Sequence, residues 1–138
     1  MIKTVIADTS AIVGFLSETD QWYKSAYPYF ERFSRPVLTC EAVITECCFL
    51  MQNSLNGEKQ VLQLIATDTM RIDFSIAVEV ERLGALMEKY KSVPMSLADA
   101  CLVRMSEIFN APIFTFDSDF RIYRRNGREQ IPILGLED

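Results

Sequence analysis

Short apolar runs that stop at an acid or a hydroxyl, each giving way to a longer stretch with helical spacing, constrain this chain more than any other feature. Thr4-Val5-Ile6-Ala7 reads as a buried strand, and Asp8-Thr9-Ser10 supplies capping side chains ahead of Ala11-Ile12-Val13-Gly14-Phe15-Leu16. Residues 20–33 keep Trp22, Tyr23, Ala26, Phe30 and Phe33 near three- and four-residue spacing, which predicts an amphipathic helix with Asp20 as its cap. Pro36-Val37-Leu38-Thr39 predicts a second strand, and Glu41 to about Asn53 a helix so apolar that it belongs in the interior. After the Asn56-Gly57 break, residues 58–66 read as helix, 69–73 as extended, and 75–90 and 97–109 as helices. Pro112-Ile113-Phe114-Thr115-Phe116 is a buried strand, Asn126-Gly127 a turn, and 131–136 a last short strand. Strands alternating with helices, without a linker or repeat, predict one α/β domain over residues 1–138 around a mostly parallel sheet.

Four carboxylates stand out in that framework: Asp8, Glu46, Asp99 and Asp117, flanked by apolar or hydroxyl residues. Asp8 alone is explained as a helix cap, a role worth ~1 kcal/mol. Ser96-Leu97-Ala98-Asp99 reads as a capping box, and Asp117 or Asp119 can serve a turn after its strand. Glu46 resists such explanations. Its helical neighbours at three- and four-residue spacing are Ala42, Val43, Phe49 and Leu50, so no cation shares its face and it lies too far from the helix ends to cap. In an α/β sheet ligands bind beyond the carboxyl ends of strands, where Asp8 and Asp117 fall. Clustered like charges need a compensating cation, and all-oxygen donors select a hard ion such as Mg²⁺ or Mn²⁺.

The composition narrows the chemistry further. The chain has no histidine, which excludes Ser-His-Asp and Cys-His nucleophilic sites and every His-bearing zinc site. The four cysteines, Cys40, Cys47, Cys48 and Cys101, show no Cys-x-x-Cys spacing and read as small core hydrophobes in a reducing compartment. A formal net charge of −5 argues against broad adhesion to nucleic acid, although bound divalent ions would turn an acidic cluster into a positive centre. The N-terminal run meets Asp8 before an apolar signal region develops, and no segment has a membrane-spanning length, so the expected location is cytoplasmic.

The run Val5-Ile6-Ala7-Asp8-Thr9-Ser10-Ala11, the helical acid Glu46, the segment Leu97-Ala98-Asp99-Ala100 and the strand end Thr115-Phe116-Asp117-Ser118-Asp119-Phe120 resemble the PIN-domain family. Small bacterial and archaeal members of this length are typically VapC-type toxin ribonucleases. The match runs in order to residue 120, while residues 17–40 and 53–93 carry no signature. The resemblance implies a three-layer α/β/α fold with a mostly parallel central sheet and an acidic pocket of Asp8, Glu46, Asp99 and Asp117, with Asp119 as a fifth candidate ligand. It also implies a ligand-orienting hydroxyl, for which Thr9 and Thr115 are the candidates. The implied activity is Mg²⁺- or Mn²⁺-dependent endoribonucleolytic hydrolysis of RNA, leaving a 5′-phosphate and a 3′-hydroxyl. The implied partners are an antitoxin that lays a peptide over the acidic groove and a second copy of the chain in a homodimer.

Beside the last acids, Phe120 to Arg128 carries four arginines and two aromatics, so Arg121, Arg124 and Arg125 are candidates to hold RNA phosphates, with a solvated turn as the plain alternative. Trp22, Tyr23, Tyr27 and Tyr29 offer contact area or core packing. A haloacid-dehalogenase-type phosphotransferase would want an acid at Ser10, and a metal-dependent adhesion module a hydroxyl at Ile12. A PIN-like module that binds RNA or protein without cleaving is the standing alternative. Asp117 against Asp119 as direct ligand, and one ion against two, stay open at this stage.

Overall fold

The computed structural model describes residues 3–136; Met1 and Ile2 of the expected N-terminal run, and the last two residues, lie outside them. Its strands and helices alternate as expected: β1 (Ile6–Ala7), α1 (Thr9–Leu16), α2 (Tyr23–Arg32), β2 (Val37–Thr39), α3 (Glu41–Met51), α4 (Gly57–Ala66), β3 (Met70–Ile72), α5 (Ile76–Lys89), α6 (Leu97–Phe109) and β4 (Ile113–Phe114). A 3₁₀ turn (Ser118–Arg121), β5 (Arg124–Arg125), β6 (Glu129–Gln130) and β7 (Ile133–Leu134) complete the chain.

Five strands form one parallel sheet in the order β3-β2-β1-β4-β7, flanked by helices in the expected three-layer α/β/α arrangement. Strand β1 sits at its centre, with Ile6 opposite Leu38 on one side and Ile113 on the other. Burial on both faces demands apolar residues throughout, and Val5, Ile6, Ala7, Ile113 and Phe114 are fully buried. From β1 the chain builds outward through β2 and β3, then crosses back to add β4 and β7. The order therefore reverses between β1 and β4, and that reversal opens a crevice at their carboxyl ends.

The aromatic residues of α2 and of the positions that flank it mostly serve the core. Phe30, Phe33 and Tyr29 pack on Phe114 with ring centroids 5.1–5.5 Å apart, and Trp22 stacks on Phe116 at 4.7 Å. Of the four aromatics expected to offer contact area, only Tyr27 is largely exposed. Asp20 does not cap α2. Its carboxylate accepts the Trp22 N–H in a turn just before the helix, which starts at Tyr23 with no side-chain cap.

Helix α3 departs from its expected interior position. Val43, Ile44, Cys47 and Met51 are buried, but Phe49 and Leu50 are 69% and 58% exposed. An almost wholly apolar helix packed on one side only must leave part of its apolar surface to solvent. The turn at Asn126-Gly127 is present, with φ of 52° and 89°, and it closes the antiparallel hairpin β5–β6 that the sequence did not announce.

Candidate functional site

Asp8 directly follows β1, and its location dictates its environment. The side chain is buried, and both oxygens are engaged. Oδ1 accepts the Ala11 N–H at 3.0 Å and the Ser10 hydroxyl at 2.8 Å, while Oδ2 accepts the Thr115 hydroxyl across the β1–β4 crevice. Asp8 thus caps α1 as the sequence suggests, but it also ties two strand ends together. Burial pushes its pKa up to about 6 against the hydrogen bonds from Thr115, Ala11 and Ser10, and the Asp117 charge raises it further. Among the described residues, no cationic side chain lines the surrounding cavity.

Asp99 occupies the third position of α6. The capping box is formed in full: Asp99 N–H donates to Ser96 Oγ at 3.1 Å, and Ser96 N–H donates to Asp99 Oδ2 at 3.2 Å. Its pKa is raised, chiefly by burial and also by the Asp117 charge, against hydrogen bonds from Ser96 and Tyr123. Capping commits only one oxygen, so the local role and a site role coexist. Asp117 follows β4 and caps the 3₁₀ turn by accepting the Asp119 N–H at 2.9 Å through Oδ1. Glu46 projects from α3 into solvent rather than into the interior, and its Oε1 accepts the Thr9 hydroxyl at 2.6 Å.

Four elements thus bring Asp8, Glu46, Asp99 and Asp117 to the wall of one cavity of about 200 Å³, with Thr9, Ser10, Ala98, Leu50 and Leu102 completing the lining. It lies at the mouth of the crevice between β1 and β4. Among the described residues, Glu46 Oε2, Asp99 Oδ1 and Asp117 Oδ2 accept no protein hydrogen bond. Also among the described residues, no three His, Cys, Asp or Glu side chains are gathered closely enough to cage an ion unaided. The donor chemistry suits a hard divalent ion of the kind that retains waters and takes part of its shell from substrate oxygens. Asp119 is not part of the lining; its N–H and carbonyl shape the turn behind Asp117.

Both expected hydroxyls sit on carboxylates, Thr9 on Glu46 and Thr115 on Asp8. Ser10 and Tyr123 also belong to this construction. Ser10 donates to Asp8 and accepts the Phe116 N–H at 2.9 Å, and the signal for it was its position two residues after a strand-end Asp. Tyr123 had no local signal, because its partner Asp99 lies 24 residues away in sequence. The arginines are placed differently. Arg124 donates to the Arg121, Ile122 and Tyr123 carbonyls, and Arg125 to the Ser106 carbonyl and Glu129, so much of their donor capacity is used within the protein. Arg121 reaches the Leu136 carbonyl beside a separate cleft. None of the three lines the acidic cavity.

The PIN-domain family model matches residues 5–126, which span all four acids and the strands that carry them. This chain belongs to the PIN-domain family. Solved PIN-like structures confirm the fold. VapC20 of Mycobacterium tuberculosis, a Sarcin-Ricin loop cleaving toxin, superposes with a TM-score of 0.76 at 16% identity over 83% of this chain and 91% of that one. VapBC2 from Rickettsia felis, bound to a promoter DNA fragment, matches with a TM-score of 0.63 at 14% identity, covering 95% and 97% of the two chains. FitAcB from Neisseria gonorrhoeae matches at 0.50 with 16% identity over 83% and 88%. No curated protein matches this PIN domain by sequence.

Proposed function

We propose that this protein is a divalent-metal-dependent endoribonuclease, the toxin of a toxin–antitoxin pair, and that residues 1–138 form one PIN domain. The observation that carries this reading is the set of four carboxylates, drawn from four elements, that lines one cavity without a cationic partner. Asp8, Glu46, Asp99 and Asp117 would hold Mg²⁺ or Mn²⁺, with Asp117 favoured over Asp119 because only Asp117 lines the cavity. When bound, the ion supplies Lewis-acid stabilisation of charge on the scissile phosphate and activates the attacking water.

The chain's own residues prepare that chemistry. Thr115, Ser10 and the Ala11 N–H fix the Asp8 carboxylate from below, and Thr9 fixes Glu46. Asp8 must be ionised to bind a cation, so its raised pKa makes metal binding strengthen as pH climbs through about 6. Phosphate contacts fall to whatever guanidinium donors Arg121, Arg124 and Arg125 retain, each side chain carrying five N–H groups. RNA cleavage is supported by the acidic cavity together with the likeness to VapC20, described as a Sarcin-Ricin loop cleaving toxin.

Beside the cavity, and sharing Thr9, Glu46 and Leu50 with it, lies an open apolar groove of about 580 Å³ that Phe49 and Thr45 complete. It suits a peptide with a basic residue flanked by apolar ones, as an antitoxin would present, and it supports an antitoxin partner more directly than it does the expected homodimer. Among the described residues, no helix is long and apolar enough to cross a membrane.

The test is incubation of the purified protein with a structured RNA pool and Mn²⁺, beside a chelator control and Asp8→Asn. Cleavage should require Mn²⁺ and fall ~10³-fold or more in the variant. Cleavage that survives either control overturns the mechanism. An RNA-binding protein inert under all conditions would establish the non-catalytic alternative.

A further inference from the structure

The Tyr123 side chain is fully buried, with its ring edge-on to Tyr90 at 5.2 Å and to Phe120 at 5.4 Å. Its hydroxyl lies 3.0 Å from the Pro94 carbonyl and 3.3 Å from Asp99 Oδ2. One hydrogen therefore faces two acceptors, both at the start of α6. The backbone of Tyr123 reaches the neighbouring acid as well. Its N–H donates to the Asp119 carbonyl at 3.2 Å, and Asp119 N–H donates to Asp117 Oδ1 at 2.9 Å. A phenylalanine would fill the same space, and a buried hydroxyl is retained at a desolvation cost unless its hydrogen bonds matter.

We propose that Tyr123 is a positioning residue of the acidic cavity: with the Ser96 N–H it pins Asp99 Oδ2, leaving Oδ1 as the oxygen presented to a divalent ion. Its backbone N–H meanwhile joins the turn that Asp117 caps, so Asp99 and Asp117 share one buried neighbour. The inference rests on the metal-dependent reading above. Partners of this kind fix the orientation of a ligating carboxylate, and their loss typically costs about 10- to 100-fold in metal affinity or activity.

The experiment measures Mn²⁺ binding by titration calorimetry, and RNA cleavage, for the wild type, Tyr123→Phe, Asp99→Asn, the double variant and Tyr90→Phe. Tyr90 is the control, since its hydroxyl accepts the Arg124 N–H at 2.9 Å and makes no contact with an acid of the cavity. Tyr123→Phe should weaken Mn²⁺ binding and lower kcat by about 10-fold, with the KM for RNA unchanged. Tyr90→Phe should bind Mn²⁺ as the wild type does. In the Asp99→Asn background the Tyr123→Phe effect should shrink to under about 2-fold, because the tyrosine acts through that carboxylate. Wild-type affinity in Tyr123→Phe, or an equal loss in both backgrounds, overturns the inference.

A second measurement needs no variant. In wild-type protein labelled at tyrosine Cζ, Mg²⁺ should shift the Tyr123 resonance and leave that of Tyr90 in place; two unmoved resonances in a protein that binds Mg²⁺ overturn the inference. A wild type that binds neither ion overturns the metal-dependent reading and this inference together.

Discussion

Helix α6 carries two carboxylates that meet opposite fates. Asp99 opens the helix on the cavity wall, and Glu107 lies eight residues further, about 12 Å along the axis. Glu107 is satisfied by the protein itself. Its side chain is 2% exposed, Arg82 grips both oxygens at 2.6 and 3.1 Å, Arg104 adds a contact at 3.2 Å while also holding Glu79, and the Asn126 N–H donates at 2.6 Å. Burial pushes the Glu107 pKa up, but these partners outweigh it and hold the group below the ordinary carboxylate range. Around the cavity the acids receive hydroxyls and backbone amides only, and Asp8 and Asp99 are displaced upward instead. Carboxylates at both ends are anchored with care. What differs is whether the protein supplies the counter-charge; at the cavity the proposed ion would supply it.

The contrast can be broken first at its paired end. Glu107→Ala should cost about 3 kcal/mol by chemical denaturation, because it strands the Arg82 charge and the Asn126 N–H together. A loss under ~1 kcal/mol would place that network among ordinary surface pairs.

The unpaired end should respond to pH with the opposite sign. Between the ordinary value of 3.8 and about 6, the folded protein keeps a proton on Asp8 that the unfolded chain releases. Stability attributable to Asp8 therefore falls as pH rises through this window, by ~2–3 kcal/mol in total, and Asp8→Asn should flatten that slope. For Glu107 the lowered pKa means a contribution present above the ordinary value and lost as pH falls through the folded one. Metal-free denaturation curves from pH 3.5 to 7.5 distinguish the two, and a variant that keeps the wild-type slope removes Asp8 as its source.

A smaller effect is expected at Gly135, where φ is 106° and an added Cβ would stand 2.5 Å from the Thr115 carbonyl. Gly135→Ala should lose about 1–2 kcal/mol through backbone strain and contact. It should also weaken Mg²⁺ stabilisation, because Thr115 is the residue that holds Asp8; thermal melts with and without Mg²⁺ read both. The smallest change belongs to Asp99→Asn. Its amide oxygen can still accept from Ser96 and Tyr123, so metal-free stability should stay within ~0.5 kcal/mol while the Mg²⁺ response is weakened. A metal-free loss of ~1 kcal/mol with the Mg²⁺ response intact would make Asp99 a cap and nothing more.

The sheet was legible because parallel strands buried on both faces announce themselves as unbroken apolar runs, and an acid after such a run marks the ligand end. Asp8 and Asp117 could be found in that way, and Asp99 through its capping box, since each is placed by its own local element. Glu46 was found for a partly mistaken reason. Its helix was read as interior, whereas Glu46 is exposed with Phe49 and Leu50, and apolar content alone does not say how many sides of a helix are covered. Among the arginines after Asp117, Arg125 looked free in sequence because its Ser106 acceptor is brought in by folding, whereas Arg124 turns back on the carbonyls of residues 121–123. Tyr123 and the β5–β6 hairpin were illegible for the same reason, their partners lying on α5 and α6 or the loop between them.

The bond from Thr115 to Asp8 joins residues 107 apart in the chain. During synthesis, then, β1 and its aspartate leave the ribosome long before β4 and Asp117 exist. Until β4 docks, the early acids have no opposite wall and Asp8 lacks its hydroxyl partner. Translation itself thus imposes a delay, and the cavity cannot be assembled until the residues of β4 have been made.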